Sequence, residues 1–256
     1  MECGGKEKKN NCLTNMKKLL LIIFLLPIFV QAQEQMLPVS KYGLPVINDI
    51  ELYKKLVVSN PDNELIDLRK LIPGAKFDVR YATANNIVKK QVYPTADVFM
   101  RKPAALALQK AQEQLNKLGY GLLFFDGYRP YAVTVFFYET IKDTTFVADP
   151  RKGSRHNRGM AIDLSLYDLQ TGQPLVMPSG YDETTERSFH DYMGADSIAI
   201  SNRKILRTAM EAVGFDIYKW EWWHYDFKGW QDAAVYDIWH NKIRKANAAL
   251  AKKKST

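Results

Sequence analysis

Apolar residues along this chain recur at two spacings, and the switches between them predict a mixture of helices and strands. The clearest helix opens at Lys102-Pro103, because proline is tolerated in a first turn, whose N–H groups are unpaired anyway. Ala104, Leu108, Ala111, Leu115 and Leu118 then repeat at helical spacing, and Gly119 ends the run. A second helix is expected after the turn Asp126-Gly127-Tyr128-Arg129-Pro130, with Val133, Phe136, Phe137 and Ile141 facing inward. A third has Ser201 or Asn202 as its cap, Ile205, Leu206, Ala209 and Val213 as its buried stripe, and Gly214 at its end. A short helical patch falls in residues 51–58, inside an otherwise extended lead, and residues 230–254 read as a C-terminal helix. Residues 65–71, 76–81, 120–125 and 160–166 are alternating or compact apolar runs and read as strands. Residues 215–218 and 222–227 read as a hairpin. Helices and strands mix without regular βαβ alternation. That predicts an α+β fold, a single domain whose central, mainly antiparallel sheet is flanked by helices.

The first thirty-two residues follow another pattern. Met16-Lys17-Lys18 is a short basic segment, residues 19–30 are an apolar run of twelve, and Val30-Gln31-Ala32 offers the small residues that signal peptidase reads. Twelve residues fall short of the roughly 20 that span a bilayer, and no charged stop-transfer segment follows. Residues 1–32 are therefore expected to be a signal peptide, with Met16 an alternative start. Residues 33–256 would form the exported chain, periplasmic or secreted and not inserted in a membrane. Both cysteines, Cys3 and Cys12, precede the apolar run, so the exported chain would hold no thiol, disulfide or lipid-acceptor cysteine.

Composition adds bounds. A chain of 256 residues with 46% hydrophobic and 25% charged residues suits one globular domain with a sizeable core. Five lysines and two glutamates lie in residues 1–32, so +3 of the formal +8 belongs there and +5 remains. Lys252-Lys253-Lys254 has no interleaved aromatic residues and reads as a solvated tail, so no nucleic-acid partner is expected. No repeat or low-complexity linker divides the chain, and nothing in the pattern specifies an oligomeric state.

Two clusters carry candidate chemistry. His156 and Asp163 lie seven residues apart, the first in a Gly/Ser-rich loop and the second on an expected strand. His224 stands far downstream, three residues after Glu221. Two imidazoles and a carboxylate can bind Zn²⁺ and leave its fourth tetrahedral position open to water, the layout of a catalytic site. Glu221 would then be free to take that water's proton. Side chains three apart on a regular strand face opposite sides, so this reading demands a bulge or turn between Glu221 and His224. Each residue also has a plainer reading: Glu221 as a surface partner of Lys219, Trp222 and Trp223 as packing. His240 is read as a hydrogen-bonded or exposed side chain, and His190 as a loop residue that can line the cleft. Ser154 is either a loop cap or, if the resemblance drawn below extends to it, a hydroxyl that binds a substrate carboxylate.

The pattern Ser154-x-His156-x-x-Gly159-x-Ala161-x-Asp163, followed by Glu221-x-Trp223-His224, resembles the zinc D-alanyl-D-alanine peptidases. The strings Gly153 to Gly159 and Glu221-Trp222-Trp223-His224-Tyr225 resemble one branch, the VanX-like D-alanyl-D-alanine dipeptidases. Asp78-Val79-Arg80-Tyr81-Ala82-Thr83, Asp126-Gly127-Tyr128-Arg129-Pro130 and Val147-Ala148-Asp149-Pro150 match as well, so the likeness runs from about Asp67 to about Tyr225. The resemblance implies one zinc per chain held by His156, Asp163 and His224, the zinc in a cleft of a hedgehog/DD-peptidase-like fold, and hydrolysis of D-Ala-D-Ala to two D-alanines. It implies Glu221 as the base and Arg129 as the residue that stabilises the oxyanion, though Arg129 can equally pair with Asp126. It also makes Asp182 the acceptor for the substrate ammonium, against the plainer reading of a solvated loop acid. The nearer alternative is a related zinc D,D-carboxypeptidase or an endopeptidase acting on cell-wall peptidoglycan. The more distant one is a non-catalytic hedgehog-like binding module.

Overall fold

A computed structural model describes residues 37–141 and 147–254. The expected signal peptide, residues 1–32, lies outside the described residues. In chain order the elements are α1 (Ile50–Ser59), β1 (Leu65–Asp67), α2 (Leu68–Leu71), β2 (Lys76–Phe77), β3 (Phe99–Arg101), α3 (Lys102–Asn116), β4 (Tyr120–Asp126), α4 (Tyr131–Thr140), β5 (Ala161–Asp168), α5 (Ser197–Ala212), β6 (Phe215–Tyr218), β7 (Glu221–Phe227) and α6 (His240–Lys254).

The main sheet has the order β2-β4-β5-β7-β6, and β1 pairs with β3 separately. In the main sheet only β2–β4 is parallel; β4–β5, β5–β7 and β6–β7 are antiparallel. Alternation along β5 sends Ile162, Leu164 and Leu166 into the principal core, with Asp163 and Ser165 on the other face. Ala104, Leu108, Ala111 and Leu115 of α3, with Leu206, Ala209 and Met210 of α5, complete that core. A second core ties α1 to α6 through Tyr53, Leu65, Phe99, Tyr236, Ile243 and Leu250, so the C-terminal helix is anchored along its length. Among the described residues no helix is long and apolar enough to cross a membrane.

The mixed α+β architecture matches the expectation, and the departures have local causes. The expected strand over residues 65–71 stops at Asp67, whose side chain accepts from Arg69 N–H and caps α2. The expected strand over residues 76–81 gives way to a 3-10 turn at Arg80–Ala82. Helix α5 starts earlier than Ser201 because Asp196 caps it, accepting from Ile198 N–H at 2.7 Å. Phe136 is 37% exposed and does not face inward, although Val133 and Phe137 do. The C-terminal helix begins only at His240. Before it, Ile47 N–H donates to Val235 O and Asp237 N–H to Ile47 O, so pairing with the N-terminal lead holds this stretch extended.

Candidate metal centre and cleft

Sheet register brings the polar residues together. Asp163 stands opposite His224 in the β5–β7 ladder and opposite Asp126 beyond an irregularity in the β4–β5 ladder. Directly opposed residues share a face, with Cβ atoms about 4.5–5.5 Å apart. His156 comes from the 3-10 turn His156–Arg158 just before β5. Gly159 ends that turn at φ 63°, where a Cβ would sit 2.6 Å from Leu65 Cδ2; a residue with no side chain lets the loop fold back on the sheet. Asn157 secures the loop: its Oδ1 accepts from Ser154 N–H at 2.7 Å, and its amide donates to Arg129 O at 2.9 Å.

The three-residue spacing of Glu221 and His224 required a break in the strand, and β7 has one. Ile217 pairs with Tyr225, but the next residue, Tyr218, pairs with Glu221, so Trp222, Trp223 and His224 form an irregular loop-out from the β6–β7 ladder, while His224 stays paired with β5. Glu221 Oε2 lies 3.9 Å from His224 Nδ1. Trp222 anchors the loop-out through its indole N–H, which donates to Ser179 Oγ at 2.9 Å.

Three atoms face one centre. His156 Nε2 is 3.1 Å from His224 Nδ1, His224 Nδ1 is 3.0 Å from Asp163 Oδ1, and His156 Nε2 is 3.4 Å from Asp163 Oδ1. Ligand bonds of about 2.0–2.1 Å in a tetrahedral zinc site put neighbouring donor atoms roughly 3.3 Å apart, so this triangle fits such an ion. The outer nitrogens support the same reading. His156 Nδ1 donates to Gly127 O at 2.8 Å, and His224 Nε2 lies 3.0 Å from Asp226 Oδ1, which leaves the inner lone pairs aimed at the centre. Gly127 is sterically required, since a Cβ there would meet Phe99 O at 2.8 Å. Asp226 is itself fixed by Arg155 Nη1 at 2.6 Å.

The charges are tightly balanced. Burial opposes ionisation of Asp163, but His156 and His224 override it and hold the carboxyl well below the usual range. Burial likewise opposes protonation of His224, yet Asp226 and Asp163 push its imidazole up to about 10. A metal needs the neutral ring, so its binding displaces that proton.

The triangle lies in a cleft of about 600 Å³ that Glu221, Arg129, Asp182 and Ser154 also line. Burial, with Asp163 nearby, raises Glu221's affinity for a proton. Arg129 is paired with Asp126, Nη2 at 2.7 Å and Nε at 3.0 Å from the same Oδ2, and packs over the Tyr81 and Phe137 rings. The ion pair and the place on the cleft wall therefore coexist. Asp182 adopts φ 62° and accepts from Tyr81 O–H at 3.0 Å. Among the described residues no cation lies within 4.0 Å of it, and burial and Asp163 push its carboxyl up to about 7. Ser154 Oγ accepts from His156 N–H at 3.2 Å, acting as a loop cap at the edge of the cleft.

Several contributors were not evident in sequence. Asp226 carried a usable signal, since it stands two residues beyond His224 on the same strand face. Gly127 O is a backbone atom and has none. His190 is buried, with no hydrogen-bond partner for either ring nitrogen among the described residues, and His240 is buried with Nε2 3.0 Å from Tyr128 O; neither joins the triangle.

A family model described as D-ala-D-ala dipeptidase matches residues 61–245. The chain is 37% identical to a D-alanyl-D-alanine dipeptidase of Enterococcus faecalis over 184 residues, covering 64% of this chain and 91% of that protein. It is 36% identical to a D-alanyl-D-alanine dipeptidase of Escherichia coli over 175 residues, covering 68% of this chain and 89% of that protein. The solved structure of the LdcB LD-carboxypeptidase is 20% identical, with 77% of this chain and 90% of that chain covered and a TM-score of 0.40.

Proposed function

The chain belongs to the D-alanyl-D-alanine dipeptidase family of metallopeptidases, and from that premise we propose that it is a zinc enzyme that hydrolyses D-Ala-D-Ala to two D-alanines. The observation that carries the proposal is the triangle of His156 Nε2, His224 Nδ1 and Asp163 Oδ1, with the Glu221 carboxylate beside it and outside it. His156, Asp163 and His224 hold the ion, one per chain. When bound, zinc polarises the scissile carbonyl and lowers the pKa of its water from about 15.7 toward about 7.

The remaining work falls to the chain's own side chains. Glu221 accepts the proton of the attacking water and passes it to the leaving amine; the raised proton affinity that burial gives it suits both transfers. Arg129, held by Asp126, donates to the oxyanion as it forms. Asp182 accepts the substrate ammonium, which would bring a cation into direct contact where none lies within 4.0 Å among the described residues. Ser154 Oγ already accepts from His156 N–H, so its hydroxyl proton is available to the substrate carboxylate. Trp223 and the other apolar lining residues exclude water and strengthen these interactions.

A cleft carboxyl bonded to Tyr81 O–H, with no cation within 4.0 Å among the described residues, favours a free dipeptide over the acylated chains that a carboxypeptidase or a peptidoglycan endopeptidase would take. We further read the protein as exported to a cell-wall compartment; this rests on the basic and apolar pattern of residues 16–32 alone. Amine release from D-Ala-D-Ala and from N-acetyl-D-Ala-D-Ala tests the reading. Turnover of the free dipeptide alone is expected, and equal rates would move the assignment to a carboxypeptidase.

A further inference from the structure

Asp163 has two carboxylate oxygens, and they have different neighbours. Oδ1 faces His224 Nδ1 at 3.0 Å and His156 Nε2 at 3.4 Å. Oδ2 accepts from the Tyr181 hydroxyl at 3.0 Å, its only hydrogen-bond donor among the described residues. Tyr181 sits in the segment before Asp182, far from the sheet in sequence. Its ring is clamped: it stacks on Phe125 with centroids 4.6 Å apart and meets Trp223 edge-on at 5.5 Å. Neighbouring side chains on extended backbone point to opposite faces. Tyr181 and Asp182 instead form a turn, with Asp182 at φ 62°, and from it Tyr181 reaches Asp163 while Asp182 lines the cleft.

A carboxylate can coordinate a metal through one oxygen or both. One oxygen from Asp163 completes a three-ligand set with an open fourth position, whereas two would occupy that position or force a fifth. A hydroxyl bonded to Oδ2 ties up a lone pair and fixes the carboxylate plane. We infer that Tyr181 is a positioning residue for the metal centre, its hydroxyl holding Asp163 to a single coordinating oxygen. This rests on the reading of His156, Asp163 and His224 as ligands. It also joins two parts of the site, because the segment that presents the ammonium acceptor also sets the coordination of the ion.

The test uses metal-free full-length protein, wild type and Tyr181→Phe, loaded with Zn²⁺ against a competing chelator and separately with Co²⁺. Removal of such an outer partner typically costs about 10–100-fold in metal affinity, and that loss is expected here. The visible absorption of the Co²⁺ form should weaken as a second oxygen raises the coordination number. Phe125→Leu serves as a packing control, since it disturbs the ring stack and leaves the hydroxyl; it should lower thermal stability and leave the Co²⁺ spectrum unchanged. A wild-type protein that takes up neither ion overturns the ligand assignment and this inference with it. Normal binding by wild type together with unchanged affinity and spectrum in Tyr181→Phe overturns this inference alone, as does a Phe125→Leu spectrum that changes in the same way.

Discussion

All four histidines of this chain are buried, yet they form two contrasting pairs. His156 and His224, 3% and 7% exposed, have partners on every ring nitrogen, and one nitrogen of each faces the Asp163 carboxylate. His190 and His240, 6% and 2% exposed, pack against aromatic rings: His190 edge-on to Tyr225, His240 stacked with Phe99. Among the described residues, both ring nitrogens of His190 and Nδ1 of His240 lack a hydrogen-bond partner. Burial pushes His190 down to about 3 and lowers His240 as well, whereas the carboxylates around His224 push it up to about 10. Burial is thus common to the two pairs, and convergent carboxylates distinguish them. A buried histidine by itself says little about chemistry; one whose outer nitrogen is fixed and whose inner nitrogen meets another ligand says a great deal.

The largest expected effect would break this contrast if it failed. Wild-type protein should carry about one zinc per chain, measured by elemental analysis after dialysis. His156→Ala and His224→Ala should lose both metal and activity, whereas His190→Leu should keep both. Full zinc occupancy in the first two variants would remove the distinction between the pairs.

A smaller effect concerns the acid across the cleft. The folded protein holds Asp182 at about 7, above an ordinary carboxyl, so the group gains its proton as pH falls through that region. The protonated acid cannot pair with an ammonium, so KM should rise toward acid pH and kcat/KM should fall by up to about tenfold per unit once the group is mostly protonated. A bound divalent ion offsets the charge of Asp163 and draws the midpoint below 7. Asp182→Asn should have a high KM with no such dependence; an acid limb in KM that survives in this variant would locate the ammonium acceptor elsewhere.

The smallest effect sharpens the other half of the comparison. Because both ring nitrogens of His190 lack a partner among the described residues, replacing it with leucine removes a cost as well as some packing. The stability of His190→Leu, from denaturant unfolding, should stay within about 1 kcal/mol of wild type. A loss well beyond that would mean that His190 has a partner its surroundings do not reveal.

Sequence carried the strands of the site better than its supports. Residues 120–125, 160–166, 215–218 and 222–227 read as strands because their apolar runs are dense, and the structure has β4, β5, β6 and β7 there. The spacing of Glu221 and His224 even required the irregularity that β7 contains. The boundaries of α5 and α6 depart from the sequence expectation because a capping aspartate and a pairing with the N-terminal lead outweigh local periodicity. Of the outer partners, Asp226 was readable from strand alternation. Gly127 O and Tyr181 were not, since a backbone carbonyl and a side chain from a distant loop reach the site only through the tertiary fold.

The central claim is that one side chain beside the triangle does the proton chemistry while the triangle holds the ion, and Glu221→Gln tests it most directly. Glutamine keeps the shape of the residue and cannot accept the proton. The variant should retain zinc and bind the dipeptide, while kcat falls at or beyond the upper end of the roughly 10²–10⁴ range for general base catalysis, because Glu221 serves both proton transfers. Loss of zinc in this variant would make Glu221 a ligand, and turnover close to wild type would place the base elsewhere; either result contradicts the account.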